Sequence, residues 1–222
     1  MNKTKVYIAK TDVLQNDALF ERLYRSVSAQ RQQKTDRYAK RSDKNLSVGA
    51  EVLLCFALKN EGITDYEIEY CESGKPYIKN PGGIFFNLSH SGDRVMCALS
   101  ADEVGCDTEK IRDVNPHTAK RFFCQRESEL IAKCNMDNEK KDAFFRLWTL
   151  KESLMKATGL GLKLGLDSFC FDLSENNTEF CQTFGGDTYY FKEFDFGDGY
   201  KYAVCSKVYD IGDVVFAELD KI

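Results

Sequence analysis

A chain of 222 residues, 43% hydrophobic with 16 Phe and 11 Tyr, carries enough apolar surface for one large packed unit or two small ones, which excludes a disordered protein. Its net charge of −4 excludes a general nucleic-acid binder, because affinity for a phosphate backbone needs many cationic contacts and leaves a basic domain. No apolar run approaches the length of a membrane span, and the opening "MNKTKVYIAKTD" lacks the apolar core and cleavage site of a signal peptide, so a cytoplasmic protein with no membrane partner is expected.

In chain order, "KVYIAKT" reads as a strand. From Ser28 the segment carries Arg31, Lys34, Arg37, Lys40, Arg41 and Lys44 against Asp36 and Asp43, with Arg31, Lys34, Tyr38 and Arg41 along one helical face. A solvated face is the plain reading of that excess, and a seat for a compact anion such as a nucleotide phosphate is the sharper one. "LSVGAEVLLCFALKNEG" reads as a core helix with Asp43 as its N-cap and Gly62 as its stop. Three strands are expected next: "YEIEY" from Tyr66, "IFFNLS" from Ile84 and "RVMCALS" from Arg94, the last two joined by a turn at Gly92 and Asp93. "EVGCDTEK" reads as a fourth strand or as a connection between halves.

Helical spacing then runs through "TAKRFFCQRESELIAKC" and again through "EKKDAFFRLWTLKESLMKATG", which Gly159 and Gly161 terminate. "DSFCFDL", "TYYFKEF", "KYAVCSK" and "DVVFAEL" read as strands. Each half thus runs strand, helices, then strands, and the switch falls near residue 104. That order predicts a pseudo-duplicated α+β architecture with halves 1–104 and 105–222. The nine cysteines are odd in number, contain no CxxC pair and follow no export signal, so they are expected to be reduced. With His90 and His117 the only histidines, few zinc ligand sets are available.

Three constellations carry chemistry. Asp107 and Glu109 stand two apart in a strand-like stretch, so they share one face and repel unless something positive sits beside them. A hard divalent cation such as Mg2+ would meet that need through oxygen ligands, and an exposed edge strand with solvated charges is the plain alternative. In "WTLKESLMK", Glu152 and Lys156 share a helix face, as an ordinary ion pair worth about 0.3–0.5 kcal/mol or as an acid and a cation for a metal–pyrophosphate site. Lys151 lies on the otherwise apolar line of Phe144, Trp148 and Met155, which places its stem along buried surface with the ammonium reaching a pocket. In "GKPYIKNPGGIFFNLSHSG", Gly74, Lys75 and Pro76 suggest a turn whose lysine meets a phosphate or a base edge. Asn87, Ser89, His90 and Ser91 cluster short hydrogen-bonding groups before Gly92. Ser89 and His90 point opposite ways on a strand and do not make a nucleophile pair; contact with an anion suits them better, although a lone histidine is more often structural.

The order of these signals, GKP, NLSHS, GCDTEK, Glu127 in a helical segment and then WTLKESLMK, resembles the 4'-phosphopantetheinyl transferases, specifically the larger Sfp-like class that forms a pseudo-dimer within one chain. The resemblance covers residues 28–173. It implies a fold of two similar α+β halves, each a small antiparallel sheet packed with helices, with coenzyme A in the cleft between them. Its phosphopantetheine arm would pass to a serine of an apo acyl or peptidyl carrier protein, releasing adenosine 3',5'-bisphosphate. The resemblance assigns Mg2+ to Asp107, Glu109 and Glu152, and charge neutralisation to Lys156. It gives the serine proton to Glu152 or a metal-bound water, with Glu127 as another metal ligand or auxiliary base. Ser89, His90 and Lys151 or Lys156 would meet the phosphates, Gly74, Lys75 and Pro76 the adenine, and Arg31 and Lys34 the 3'-phosphate. Relatives commonly carry a basic residue near the position of Leu46; here "SDKNLSVGAE" offers Lys44 from a shifted position. A monomer is implied, and "KRFFCQR", with Lys120, Arg121, Phe122, Phe123 and Arg126, is the expected carrier-docking surface or else core aromatics with solvated cations. Two other readings compete: a catalytically silent coenzyme A-binding module, which the retained acids disfavour, and a metal-dependent nuclease, which the net charge of −4 disfavours.

Overall fold

The computed structural model describes residues 2–70, 76–79, 83–173 and 178–222. Gly74 and Lys75 lie outside the described residues. The first half runs through β1 (Thr4–Lys10), α1 (Asp17–Ser26), α2 (Ala29–Asp36), α3 (Arg41–Asn60), the hairpin β2 (Glu67–Tyr70) and β3 (Pro76–Lys79), then β4 (Phe85–Ser91) and β5 (Arg94–Ser100). The second half repeats the theme with β6 (Val104–Lys110), α4 (Pro116–Phe122), α5 (Gln125–Lys133), α6 (Asp137–Thr158), β7 (Glu179–Phe184), β8 (Asp187–Phe194), β9 (Tyr200–Ser206) and β10 (Ile211–Ala217).

Two four-stranded sheets result, ordered β10-β1-β5-β4 and β6-β9-β8-β7. The runs β1-β5-β4 and β6-β9-β8 correspond, and the long helices α3 and α6 occupy matching places between them. Expectation and structure therefore agree on a duplicated α+β plan. All the pairings are antiparallel except β1 with β10, through which the end of the chain crosses back into the first half's sheet.

Strand alternation builds the core in layers. On β1, Tyr7 and Ala9 pack toward α3, whereas Val6 and Ile8 meet Val104, Cys106, Tyr202 and Val204 of the other sheet. On β9, Ala203 and Cys205 pack toward α6 while Tyr202 and Val204 face the first sheet. Both faces of the central strands are thus covered, which is why β5 and β9 are buried at every residue.

Local differences from the expected elements have physical causes. The core helix α3 starts at Arg41, with Asp43 in its first turn and not at the cap. Helix α1, which the sequence reading passed over, is capped by the Asn16 side chain on Leu19 N. The helical run after Pro116 breaks at Phe123 and Cys124 into α4 and α5. "DSFCFDL" keeps the burial alternation of a strand, with Phe169, Phe171 and Leu173 inside, yet among the described residues it pairs with no strand. Its backbone groups are satisfied by side chains instead: Glu127 accepts from Phe171 N at 2.7 Å, and Lys151 donates to the Leu166 and Phe169 carbonyls. "EFCQTF" supplies β7 in its place.

The expectation that every cysteine is reduced is corrected. Cys124, at the N-cap of α5, is disulfide-bonded to Cys170, with their Cα atoms 6.0 Å apart. Contact between α5 and the 164–173 segment brings the two together, and an odd cysteine count does not reveal one pair among nine.

Two glycines set the geometry around the seam between the halves. Gly92 holds φ +59° in the two-residue β4–β5 turn, as the sequence predicts. Gly105 lies where α6 crosses β6, and a Cβ there would fall 2.0 Å from the Ser153 carbonyl oxygen and 2.4 Å from Ala157 N. Only glycine permits this approach, which lowers the Glu152–Lys156 turn of α6 onto the acids of β6.

Candidate active site at the seam of the two sheets

Strands β4 and β6 end their respective sheets and lie beside each other, joined through side chains. Asn87 Oδ1 accepts from Cys106 N at 3.0 Å, Ser89 Oγ from Thr108 N at 3.3 Å, and Ser91 Oγ from Lys110 N at 3.2 Å. Alternate residues of one edge thereby satisfy alternate N–H groups of the other, which closes two edges that would otherwise present unpaired backbone. The same hydroxyls donate onward, Ser89 to Asp107 Oδ1 and Ser91 to Glu109 Oε2, each at 2.7 Å.

Helix α6 adds the cation. Lys156 Nζ lies 2.6 Å from Asp107 Oδ1, 3.0 Å from Ser89 Oγ and 3.2 Å from the Cys106 carbonyl. Burial works against its charge, but Asp107, with Cys106 and Glu152 behind it, holds the ammonium above its ordinary pKa. Burial pushes the Asp107 carboxyl up, against the pull of Lys156 and Ser89, and Glu109 adds to the rise. Glu152 is half-buried and its carboxyl is raised by burial and by Asp107 and Glu109, with Lys156 opposing. Asp107, Glu109 and Glu152 therefore form one electrostatic cluster.

The positive charges facing the strand acids in this structure are Lys156 on Asp107 and Arg112, whose Nη1 is 2.7 Å from Glu109 Oε2. Among the described residues no three His, Cys, Asp or Glu are already converged on one point for a metal ion. Two side-chain oxygens among the described residues are nevertheless buried without any partner, Asp107 Oδ2 and Thr108 Oγ1. An orphaned hydroxyl costs about 1–3 kcal/mol, and an orphaned carboxylate oxygen more. An all-oxygen set of clustered acids with one buried oxygen unspent suits a hard divalent cation.

The first half supplies a second electropositive wall. Arg31 and Lys34 of α2 line a cavity of about 390 Å³ with Gln30, Gln33 and Arg37. Arg31 Nε is anchored 2.9 Å from Glu51, which also accepts from Ser28 N. His90, exposed on β4, is pushed below its ordinary pKa by the surrounding protein and by Lys156, Lys34 and Arg31. Cations of α2 and α6 thus act on the same β4 histidine. Lys34 is itself lowered by burial and by Arg31.

Other expected site residues fall elsewhere. Lys151 does not reach a phosphate pocket: it is fully buried and its ammonium meets the Leu166 carbonyl at 2.7 Å, the Phe169 carbonyl at 2.6 Å and Glu127 Oε2 at 2.9 Å. With 0% of its side chain exposed and an acceptor for each of its three donors, it has no face open to a substrate. Glu127 is equally buried, and its carboxylate accepts from Phe171 N, Cys124 N and Lys151. It is committed to holding the 164–173 segment and is not part of the acid cluster. Ser89 gives its proton to Asp107 and accepts from Thr108 N and Lys156, which spends all its hydrogen-bonding positions. Lys44 lies half-buried in the first turn of α3 with no side-chain hydrogen bond or ion pair among the described residues. Pro76 opens β3 opposite Tyr70. In "KRFFCQR", Phe123 is core, Phe122 packs edge-on against Trp148, Arg126 pairs with Asp172, and Lys120 and Arg121 are exposed. The sequence reading missed Arg112 and the stitching role of Asn87, Ser89 and Ser91. The N-x-S-x-S alternation was visible; its partner strand was not.

A site of clustered acids and a lysine, built where two related halves meet, is accompanied by a family assignment. Residues 103–205 match the 4'-phosphopantetheinyl transferase superfamily. The "4'-phosphopantetheinyl transferase Sfp" of Bacillus subtilis (strain 168) is 33% identical over 193 residues, covering 84% of each chain. The "4'-phosphopantetheinyl transferase ffp" of Bacillus subtilis is 34% identical over 84% of each chain, and the "4'-phosphopantetheinyl transferase gsp" of Aneurinibacillus migulanus is 33% identical over 85% of this chain and 79% of its own. The chain belongs to the 4'-phosphopantetheinyl transferase superfamily, whose activity is transfer of the phosphopantetheine arm of coenzyme A to carrier proteins. No helix among the described residues is long and apolar enough to cross a membrane.

Proposed function

We propose that the chain transfers the 4'-phosphopantetheine arm of coenzyme A to a serine of an apo acyl or peptidyl carrier protein in a Mg2+-dependent reaction, acting as a cytoplasmic monomer. The observation that carries the metal-dependent reading is the cluster of Asp107, Glu109 and Glu152 at the seam, with Asp107 Oδ2 buried and unpartnered. These three carboxylates would hold the cation. When bound, it supplies Lewis-acid neutralisation of the pyrophosphate.

The chain's own residues account for the remaining roles. The carrier serine oxygen forms a bond to the phosphorus bearing the pantetheine arm, and the bond from that phosphorus to the bridging oxygen breaks, so adenosine 3',5'-bisphosphate leaves. Lys156 stands against charge that grows on the departing pyrophosphate oxygen. Glu152, whose carboxyl is raised by burial and by Asp107 and Glu109, is suited to receive the serine proton directly or through a water. In this reading His90, Arg31 and Lys34 of residues 1–104 would meet the phosphates of coenzyme A and Lys44 and Pro76 its nucleoside end, with Gly74 and Lys75 assigned there by the family resemblance alone. Residues 105–222 present the acids. Ser89 orients Asp107. Carriers of this type offer acidic surfaces, and Lys120 and Arg121 are exposed to meet one.

The test is chromatographic assay of adenosine 3',5'-bisphosphate after incubation with coenzyme A, a panel of apo carriers and Mg2+ or EDTA. Release that requires both a carrier and the metal supports the reading. Coenzyme A binding without release on any carrier points to the silent binding module, and release undiminished in EDTA removes the cation.

A further inference from the structure

We infer that Ser91 is a positioning residue: its hydroxyl turns Glu109 so that one carboxylate oxygen is spent on the protein and the other is left for the cation. This inference rests on the cation reading above. Ser91 Oγ accepts from Lys110 N at 3.2 Å, which leaves its own proton to be given away, and it is given to Glu109 Oε2 at 2.7 Å. Arg112 Nη1 donates to the same oxygen at 2.7 Å and also to the Lys110 carbonyl. Glu109 Oε1 has no partner among the described residues. The arrangement repeats, two residues on along both strands, what Ser89 does for Asp107, where Oδ1 is spent and Oδ2 is orphaned.

The serine is placed on a rigid support. It is the last residue of β4, followed by the Gly92–Asp93 turn, and that turn is pinned to the other sheet because Tyr200 of β9 meets both Asp93 N and the Asp93 carboxylate. Arg94 lies over the Tyr200 ring at 4.7 Å, closing the corner. A carboxylate held by a hydroxyl that is itself held by a backbone N–H has few rotamers left. Such outer partners of metal ligands are worth about 10–100-fold in metal affinity or activity.

Arg112 does not replace the hydroxyl, since its side chain is 58% exposed and an exposed ion pair constrains a carboxylate weakly. The reading distinguishes Ser91 from a residue that only closes the edge of a sheet. A pure edge contact needs the lone pair that accepts from Lys110 N, whereas orientation of Glu109 needs the proton.

The experiment measures Mn2+ binding by the electron paramagnetic resonance of free Mn2+, with the full chain and coenzyme A but no carrier, so that no turnover contributes. Ser91→Ala is expected to bind Mn2+ about tenfold more weakly than wild type, and Ser91→Thr, which keeps the hydroxyl on a strand-compatible side chain, within about threefold of it. Coenzyme A affinity in EDTA is expected to be unchanged in both. Wild-type Mn2+ affinity in folded Ser91→Ala overturns the inference, as does a loss of affinity in both variants that tracks an equal fall in melting temperature. A wild-type protein that binds no Mn2+ but releases adenosine 3',5'-bisphosphate overturns the cation reading itself, which is a separate failure.

Discussion

Two of the lysines of helix α6, Lys151 and Lys156, stand five residues apart and each meets a buried carboxylate, yet the two pairs differ in what they leave open. Lys151 and Glu127 are both 0% exposed, and every donor of the ammonium has an acceptor. The Phe169 ring lies 4.3 Å from the ammonium, and burial alone pulls the lysine below its ordinary pKa in spite of Glu127. Lys156 has three acceptors as well, but it is 27% exposed, and its partner Asp107 keeps one buried oxygen with nothing attached. A closed pair holds the chain together; an open one waits for a ligand. The difference separates a lysine enclosed in packing from one that borders the proposed site.

The largest effect should come from opening the open pair further. Asp107→Ala is expected to cut carrier modification by about a thousandfold, equivalent to roughly 4 kcal/mol of barrier, with the fold retained by circular dichroism. A folded Asp107→Ala protein with wild-type turnover in saturating Mg2+ would remove Asp107 from the site.

Breaking the closed pair should act on stability instead. Lys151→Met leaves Glu127 buried and uncompensated, so denaturant unfolding should show a loss of about 3–5 kcal/mol, while the rate per folded molecule stays near wild type. A Lys151→Met protein of unchanged stability but abolished transfer would reverse the comparison.

Gly105→Ala sharpens it from the side of packing. The added methyl meets Ser153 and Ala157 backbone, so a loss of about 1–3 kcal/mol is expected, with a raised Mg2+ requirement because α6 must move off β6. Unchanged stability would mean that the helix does not approach so closely.

The smallest effect is read by pH. His90 is held below its ordinary pKa in the folded chain, so the folded state takes up its proton less readily than the unfolded state. Stability from this group is complete above the unfolded value near 6.5 and is lost as pH falls from there through the lower folded value. The His90 ring protons can be followed in the proton spectrum, and their titration should move to higher pKa when coenzyme A brings phosphate beside the ring. A His90 pKa unmoved by saturating coenzyme A would separate this residue from the phosphates.

Much of this site was legible in the sequence because it depends on local periodicity. The i, i+2 spacing of Asp107 and Glu109 and the i, i+4 spacing of Glu152 and Lys156 gave their faces directly. Periodicity also placed Lys151 among apolar neighbours, and that part of the reading holds. What helical spacing cannot say is where a buried ammonium ends, and here it ends on two carbonyls of a segment that the chain supplies later. The same segment misled the strand reading for a related reason: "DSFCFDL" alternates as a strand does, but its partners are Lys151 and Glu127 side chains. The roles of Asn87, Ser89 and Ser91 and the Cys124–Cys170 disulfide depend on which distant segments become neighbours, which no local pattern encodes. The disulfide also bears on the cytoplasmic reading, since a reducing thiol pool would oppose it, and a thiol count on the native protein reports its state.

The account's central claim is transfer at the open pair, and intact-mass spectrometry tests it most directly. Apo carriers would be incubated with coenzyme A and either wild-type protein or Asp107→Asn, in Mg2+ and in EDTA. The account expects a carrier to gain the mass of the phosphopantetheine arm with wild type in Mg2+ alone. Equal gain with folded Asp107→Asn, or with wild type in EDTA, would contradict it.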